Sequence, residues 1–162
     1  MSLRVGNGFD IHRFSDDASR PLVLGGVVVP DAPGLEGHSD ADVIAHAVAD
    51  ALLGAAGLGD LGRLFPDTDE QWRGADSIEL LAEVVRRVHD AGWAVLNADC
   101  SVIAERPKLA PWRAQMEQRL SSTVGAPVTI KGRRAEGIGG LGRAEGIACL
   151  ASVLIQERGV NS

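Results

Sequence analysis

The sequence predicts an α/β domain, and three observations carry that expectation. Segments with the two-residue period of a strand alternate along the chain with segments of helical period. The 162 residues, 45% of them hydrophobic, suffice for a packed core. No internal repeat, low-complexity tract or long linker divides them, so one domain over 1–162 is expected.

The elements follow in order. Residues 3–12 read as a strand closed by Gly6 and Gly8. Residues 21–30, with proline at both ends, read as a strand pair or one bulged strand. A loop rich in glycine and aspartate covers 31–40. Residues 42–56 have helical composition, with Val43, Ala47 and Ala51 on one face and Ile44, Val48 and Leu52 beside it. Residues 57–69 are loop-like. Asp76 and Ser77 cap a helix that runs to about His89, with Leu80, Val84 and Val88 at fourfold spacing, and Gly92 stops it. Residues 93–105 read as a strand. Pro107 or Pro111 opens a helix containing Met116 and Leu120 that ends near Gly125, and 128–131 form a short strand. Residues 144–155 fit helix or strand. Both alternating sets there are apolar, which suggests a strand buried on both faces or packed against another subunit.

Charge and cysteine content narrow the function classes. A net charge of −6 and a pI near 5.1 argue against a general nucleic-acid binder. Cys100 and Cys149 each lie in an apolar run and read as buried, reduced thiols. Neither a signal peptide nor an apolar run of membrane-spanning length is visible, so a cytoplasmic protein without membrane association is expected.

The chain has 4 histidines, and three of them fall in two glycine- and aspartate-rich segments. Asp10 and His12 stand two apart in an extended stretch, so their side chains point the same way. His46 follows a loop that runs into a helix. Two histidines and one carboxylate leave the fourth corner of a tetrahedral zinc open, as in catalytic rather than structural sites. Asp-x-His on a strand is equally compatible with a hydrogen-bonded structural pair, since nothing local forces the two segments together. Asp40, Asp42 and Asp60 have helix capping or solvation as their ordinary reading, with Asp40 placed to cap. The stretch Phe65-Pro66-Asp67-Thr68-Asp69 has turn chemistry. His89, beside Arg86 and Arg87, reads as solvent-exposed.

Four motifs occur in order: Gly8-Phe9-Asp10-Ile11-His12, His38-Ser39-Asp40-Ala41-Asp42, the run from Leu58 to Asp69 containing Asp60-Leu61-Gly62-Arg63-Leu64-Phe65-Pro66-Asp67, and Gly142-Arg143-Ala144-Glu145-Gly146. Together they resemble the 2-C-methyl-D-erythritol 2,4-cyclodiphosphate synthase family of the non-mevalonate isoprenoid pathway, over residues 4–157. The resemblance implies a mixed sheet with helices on one face and a homotrimer whose sheets pack around a threefold axis, with active sites between neighbours. It implies a phosphorus–oxygen lyase that cyclises 4-diphosphocytidyl-2-C-methyl-D-erythritol 2-phosphate and releases CMP.

Residue roles are carried over from the same resemblance. Zinc, one ion per subunit, sits on Asp10, His12 and His46 and takes a β-phosphate oxygen as its fourth ligand. A second divalent cation, magnesium or manganese, bridges the α- and β-phosphates, with Glu136 as its ligand. His38 and Ser39 contact the diol and the attacking phosphate, and Asp60 and Gly62 hold the hydroxyls. Asp42 acts as a substrate contact or supports His46 one helical turn along. The Phe65–Asp69 loop lines the pocket. The stretch holding Ala104, Pro107, Lys108 and Leu109 reads the cytosine edge through its backbone.

One segment departs from the family. Where the family reads Ala-Thr-Thr-Thr-Glu-Lys-Leu-Gly-Phe-Thr-Gly-Arg, this chain reads Gly132-Arg133-Arg134-Ala135-Glu136-Gly137-Ile138-Gly139-Gly140-Leu141-Gly142-Arg143. Arg134 replaces the threonine that helps polarise the β-phosphate, and Gly140 replaces the phenylalanine that lines the central trimer cavity. Arg133 and Arg134, with Lys131 and Arg143 nearby, are expected to take over phosphate binding, since guanidinium groups grip phosphate in bidentate fashion. The alternative is a weak or inactive paralogue that serves as a trimeric zinc- and nucleotide-binding module.

Overall fold

The computed structural model describes residues 1–159; residues 160–162, included in the expected domain, lie outside the described residues. Four strands form one mixed sheet in the order β1 (Leu3–Arg13), β6 (Gly146–Glu157), β4 (Trp93–Ile103), β5 (Val128–Arg133). β1–β6 and β6–β4 run antiparallel, and β4–β5 run parallel. A separate hairpin joins β2 (Leu22–Leu24) to β3 (Val27–Val29), so the strand pair expected between the two prolines is present.

Helices cover one face of the sheet. The first, α1 (Val43–Ala56), packs on β1, β6 and β4, with α3 (Ser77–Asp90) and α4 (Arg113–Val124) beside it. The last of these starts two residues after Pro111, and Gly125 closes it in a left-handed conformation. Every residue of α1 is buried except His46, Asp50 and Gly54. These three recur every four residues, so they form one stripe, and that stripe faces the site. Burial of α1 side chains such as Leu52 and Leu53 contributes on the order of 1.5–3 kcal/mol each, and this packing holds the stripe in place.

β1 and α1 approach very closely. A Cβ at Gly6 would stand 2.1 Å from the Ala51 carbonyl oxygen, and one at Gly8 would stand 2.1 Å from that of Ala47. The two glycines therefore do not close the strand, as their identity suggested. They lie inside it and admit the helix.

Among the described residues, no helix lies over the other face of the sheet. Val5, Phe9 and Ile11 of β1 and Leu150 of β6 are exposed there, with Phe9 paired to Leu150 in register. Residues 144–155 thus resolve to a strand from Gly146 onward, with one face buried and the second face open in the single chain. Two further departures are short helices in the glycine-rich stretches, α2 (Leu61–Leu64) within the expected loop 57–69 and α5 (Gly139–Gly142). Cys100 and Cys149 are buried and free, as expected, and a hydrogen bond between them together with burial pushes the Cys149 thiol far up. His89 is exposed.

Candidate active site

Asp10 and His12 project from β1 on the same side, and His46 comes from the stripe of α1. Asp10 Oδ2 lies 2.9 Å from His12 Nε2 and 3.1 Å from His46 Nδ1. One ligand atom from each of the three residues falls within 4.8 Å of the other two. His12 Nε2 is buried and makes no well-aligned hydrogen bond. Three lone-pair donors converging around an unpartnered nitrogen fit a divalent metal. Burial opposes ionisation of Asp10, yet the two imidazoles set against it hold its carboxyl far below the usual range. Burial likewise opposes protonation of His12, but the adjacent Asp10 carboxylate raises its pKa.

The outer nitrogens of both rings are held. His12 Nδ1 lies 2.7 Å from the Glu36 carbonyl oxygen. That loop is pinned by Arg20, whose guanidinium donates to the carbonyls of Leu35, Gly37 and Ser39. His46 Nε2 lies 2.8 Å from Ser77 Oγ and 3.2 Å from Ser39 Oγ. Ser77 is the residue that sequence reasoning missed. It was visible only as part of a helix start.

Two cavities open beside the metal ligands. One, of about 220 Å³, is walled by His12, His38, Ser39, His46, Gly62, Phe65 and Asp67 among others. Another, of about 350 Å³, is shared by Phe9, Asp10, His46, Asp50, Asp60 and Gly62. Asp60 caps α2 through the Arg63 amide at 2.9 Å, so it both shapes the rim and faces the space. Within the Phe65–Asp69 loop, Phe65 packs edge-on against Trp72 with ring centroids 4.8 Å apart. Asp69 caps the next turn, its carbonyl lies 3.0 Å from His38 Nε2, and Thr68 is exposed.

A third cavity, of about 460 Å³, lies at the far end of β4 and β5. Its wall includes Ala104, Pro107, Lys108, Leu109, Arg133 and Arg134. Residues 104–109 and the two arginines, separate in sequence, thus share one space. Among the described residues, none lines both this cavity and those beside the Asp10–His12–His46 cluster.

Two expectations, on Asp42 and Asp40, need correction. Asp42 does not touch a substrate space. It is fully buried and caps α1, accepting from the amides of Ile44 and Ala45, and its oxygens also take those of Gly25 at 2.9 Å and Gly26 at 2.7 Å. Burial pushes its carboxyl up to about 6 against the pull of these donors. The cap is therefore Asp42 and not Asp40. Asp40 accepts from the Ser77 hydroxyl and amide and from the Asp42 amide. Arg134 pairs with Glu105 in the single chain, its Nη2 2.9 Å from Glu105 Oε2. Arg143 pairs with Glu145 at 3.2 Å. Glu136 is exposed, with a positive φ of 54°, and stands apart from the Asp10–His12–His46 cluster. Gly140 lines a small space with Ile11, Arg13 and Glu145.

Comparison with known proteins follows the same lines. The family described as YgbB matches residues 3–156. The 2-C-methyl-D-erythritol 2,4-cyclodiphosphate synthase of Laribacter hongkongensis is 52% identical over 161 residues, covering 98% of each chain. Among solved structures, the bifunctional IspDF of Campylobacter jejuni superposes with a TM-score of 0.91 at 41% identity, over 96% of this chain and 42% of that one. The Plasmodium falciparum IspF solved as a CDP complex gives a TM-score of 0.84 at 30% identity over 98% of both chains.

Proposed function

Because this chain belongs to the YgbB family, whose relatives carry the name 2-C-methyl-D-erythritol 2,4-cyclodiphosphate synthase, we propose that it cyclises 4-diphosphocytidyl-2-C-methyl-D-erythritol 2-phosphate with release of CMP. The observation that carries this reading is the convergence of Asp10, His12 and His46 beside the cavities that hold His38, Ser39, Asp60 and Gly62. No relative reported above supports the alternative of a binding-only paralogue.

The reaction joins two anions. An oxygen of the 2-phosphate attacks the β-phosphorus, the bond from that phosphorus to the bridging oxygen breaks, and CMP leaves with the bridging oxygen. Repulsion must be neutralised and the substrate folded back on itself, so positioning and charge stabilisation dominate. Asp10, His12 and His46 would hold zinc, their two-nitrogen, one-carboxylate set leaving a fourth position for a phosphate oxygen. Zinc bound there supplies a Lewis acid that polarises the β-phosphate. His38 and Ser39 orient the attacking phosphate. Asp60, on the rim, accepts from the hydroxyls of the methylerythritol chain. Phe65 and Trp72 keep water from one wall. A second divalent ion, magnesium or manganese, is assigned to Glu136 with the diphosphate, since a lone carboxylate with phosphate oxygens suits a hard cation. Cytidine is assigned to the cavity bounded by Ala104, Pro107, Lys108 and Leu109, with the Arg133 and Arg134 side chains turned to phosphate.

Three copies complete the site in this reading. The chain alone leaves Val5, Phe9, Ile11 and Leu150 exposed on an uncovered sheet face, and a contiguous apolar surface of this kind marks an interface. The nucleotide cavity and the metal cavity share no wall within one chain. Packing three sheets around an axis covers the face and sets one chain's metal cavity against its neighbour's nucleotide cavity. The test is a cyclisation assay with CMP release as readout. Turnover supports the synthase, whereas CMP binding without turnover overturns it.

A further inference from the structure

We propose that Ser77 and Asp40 form a positioning pair that orients the His46 ring and so sets how tightly the Asp10–His12–His46 cluster holds its divalent metal. The inference rests on the metal reading of that cluster and adds residues outside it. His46 turns Nδ1 toward Asp10, 3.1 Å away, and its other nitrogen lies 2.8 Å from Ser77 Oγ. The Ser77 hydroxyl donates its own proton to the Asp40 carboxylate. Its oxygen is left to accept, which places the imidazole proton on Nε2 and a lone pair on Nδ1. That is the tautomer a metal ligand needs. Asp40 is held in turn by the amides of Asp42 and Ser77, each at 3.1 Å. Ser77 is almost wholly buried at the first turn of α3, so water does not compete for the link.

The other hydroxyl near the ring does not do the same work. Ser39 Oγ stands 3.2 Å from Nε2, further than Ser77, and accepts from the Ala41 amide. No carboxylate stands behind it to polarise its proton. His12 shows the contrast. Its outer nitrogen leans on the Glu36 backbone carbonyl, which no side-chain substitution removes. The two histidines are thus oriented by different means: a side-chain hydroxyl meets the outer nitrogen of His46, and a backbone carbonyl in an Arg20-pinned loop meets that of His12.

The experiment measures zinc affinity by chelator competition, and the visible spectrum of the cobalt-loaded protein, for wild type, Ser77→Ala and Ser77→Thr. Loss of a hydrogen-bond partner behind a ligating histidine typically weakens metal binding about 10–100-fold. Ser77→Ala is expected to weaken zinc by about tenfold or more and to shift the cobalt bands, and Ser77→Thr to restore both. Asp40→Asn should fall in the same direction with a smaller loss. Wild-type affinity and an unchanged cobalt spectrum in Ser77→Ala overturn the proposal, as does a threonine variant that rescues neither. Should the alanine variant fail to fold, Asp40→Asn, which removes the carboxylate behind the hydroxyl without touching Ser77, takes the same readouts, and wild-type affinity with an unchanged spectrum there overturns the proposal. A wild type that binds neither ion overturns the metal reading itself, which separates the two failures.

Discussion

The cavity at Asp10 and the cavity at Arg134 are made in contrasting ways. Around the metal ligands, side chains from β1 and α1 converge, and the outer nitrogen of each histidine already has a fixed partner in Glu36 or Ser77. Around Arg134, the wall mixes apolar side chains such as Val102, Pro107 and Leu109 with exposed charges, and the guanidinium is already paired with Glu105. The first region is preorganised and its electrostatics act without rearrangement. The proposed function puts the chemistry on the rigid side and nucleotide recognition on the looser side, where a ligand competes with an existing ion pair.

The sharpest way to break this comparison is to remove a rigid part. His46→Ala should abolish turnover and strip the metal, while circular dichroism shows a folded protein and CMP binding persists. Full zinc content in that variant would show that the three residues are not its ligands. Next in size is the uncovered sheet face. Phe9→Glu combined with Leu150→Glu should convert a trimer into a monomer of about 17 kDa and remove activity while leaving each chain its zinc. Light scattering that finds wild type already monomeric would sink both the trimer and the shared site.

Smaller effects probe the loose side. Arg134→Ala should weaken CDP binding by about tenfold, because a charge-assisted hydrogen bond contributes roughly 1.5–3 kcal/mol and ~1.4 kcal/mol is tenfold. Zinc content should not change, since no ligand of the cluster lies in that loop. Equal calorimetric affinities would mean that the guanidinium stays with Glu105. The smallest effect is the acid response of that pair. The hydrogen bond from Arg134 holds the Glu105 carboxyl below its ordinary value of 4.5. A depressed carboxylate contributes stability that is present above 4.5 and is lost as pH falls through its folded value. NMR titration of Glu105 should show this depression, and Arg134→Ala should raise the value back; no change would show the pair is absent in solution.

Much of the rigid side was legible in the sequence. Period-two spacing put Asp10 and His12 on one side of a strand, whereas joining His46 to them rested on the resemblance of the motifs, since nothing local brings the two segments together. The alternating apolar positions of 144–155 fitted helix or strand, with two apolar faces suggesting a strand, and the structure decides for the strand. What escaped depends on contacts far apart in the chain. Nothing near Ser77 shows that it meets His46, 31 residues away. Asp42 looked like a site residue because His46 follows one turn later, whereas its four amide partners include Gly25 and Gly26 from a distant hairpin. The helices α2 and α5 each span 4 residues and are too short to show a period. The pairing of Arg134 with Glu105 could not be seen because Glu105 is 29 residues upstream.

The close contact of β1 with α1 has a consequence for which ion the cluster prefers. Two ligands ride on the strand and the third on the helix, so the thickness of the seam between them sets the radius the three atoms enclose. Gly8 against the Ala47 carbonyl fixes that thickness at the minimum two backbones allow. A methyl group at position 8 would wedge strand from helix and widen the bite of the ligands. Gly8→Ala should therefore lose discrimination against ions larger than zinc, with cadmium competing better than in wild type. Unchanged cadmium-to-zinc selectivity would show that the seam does not govern ion size.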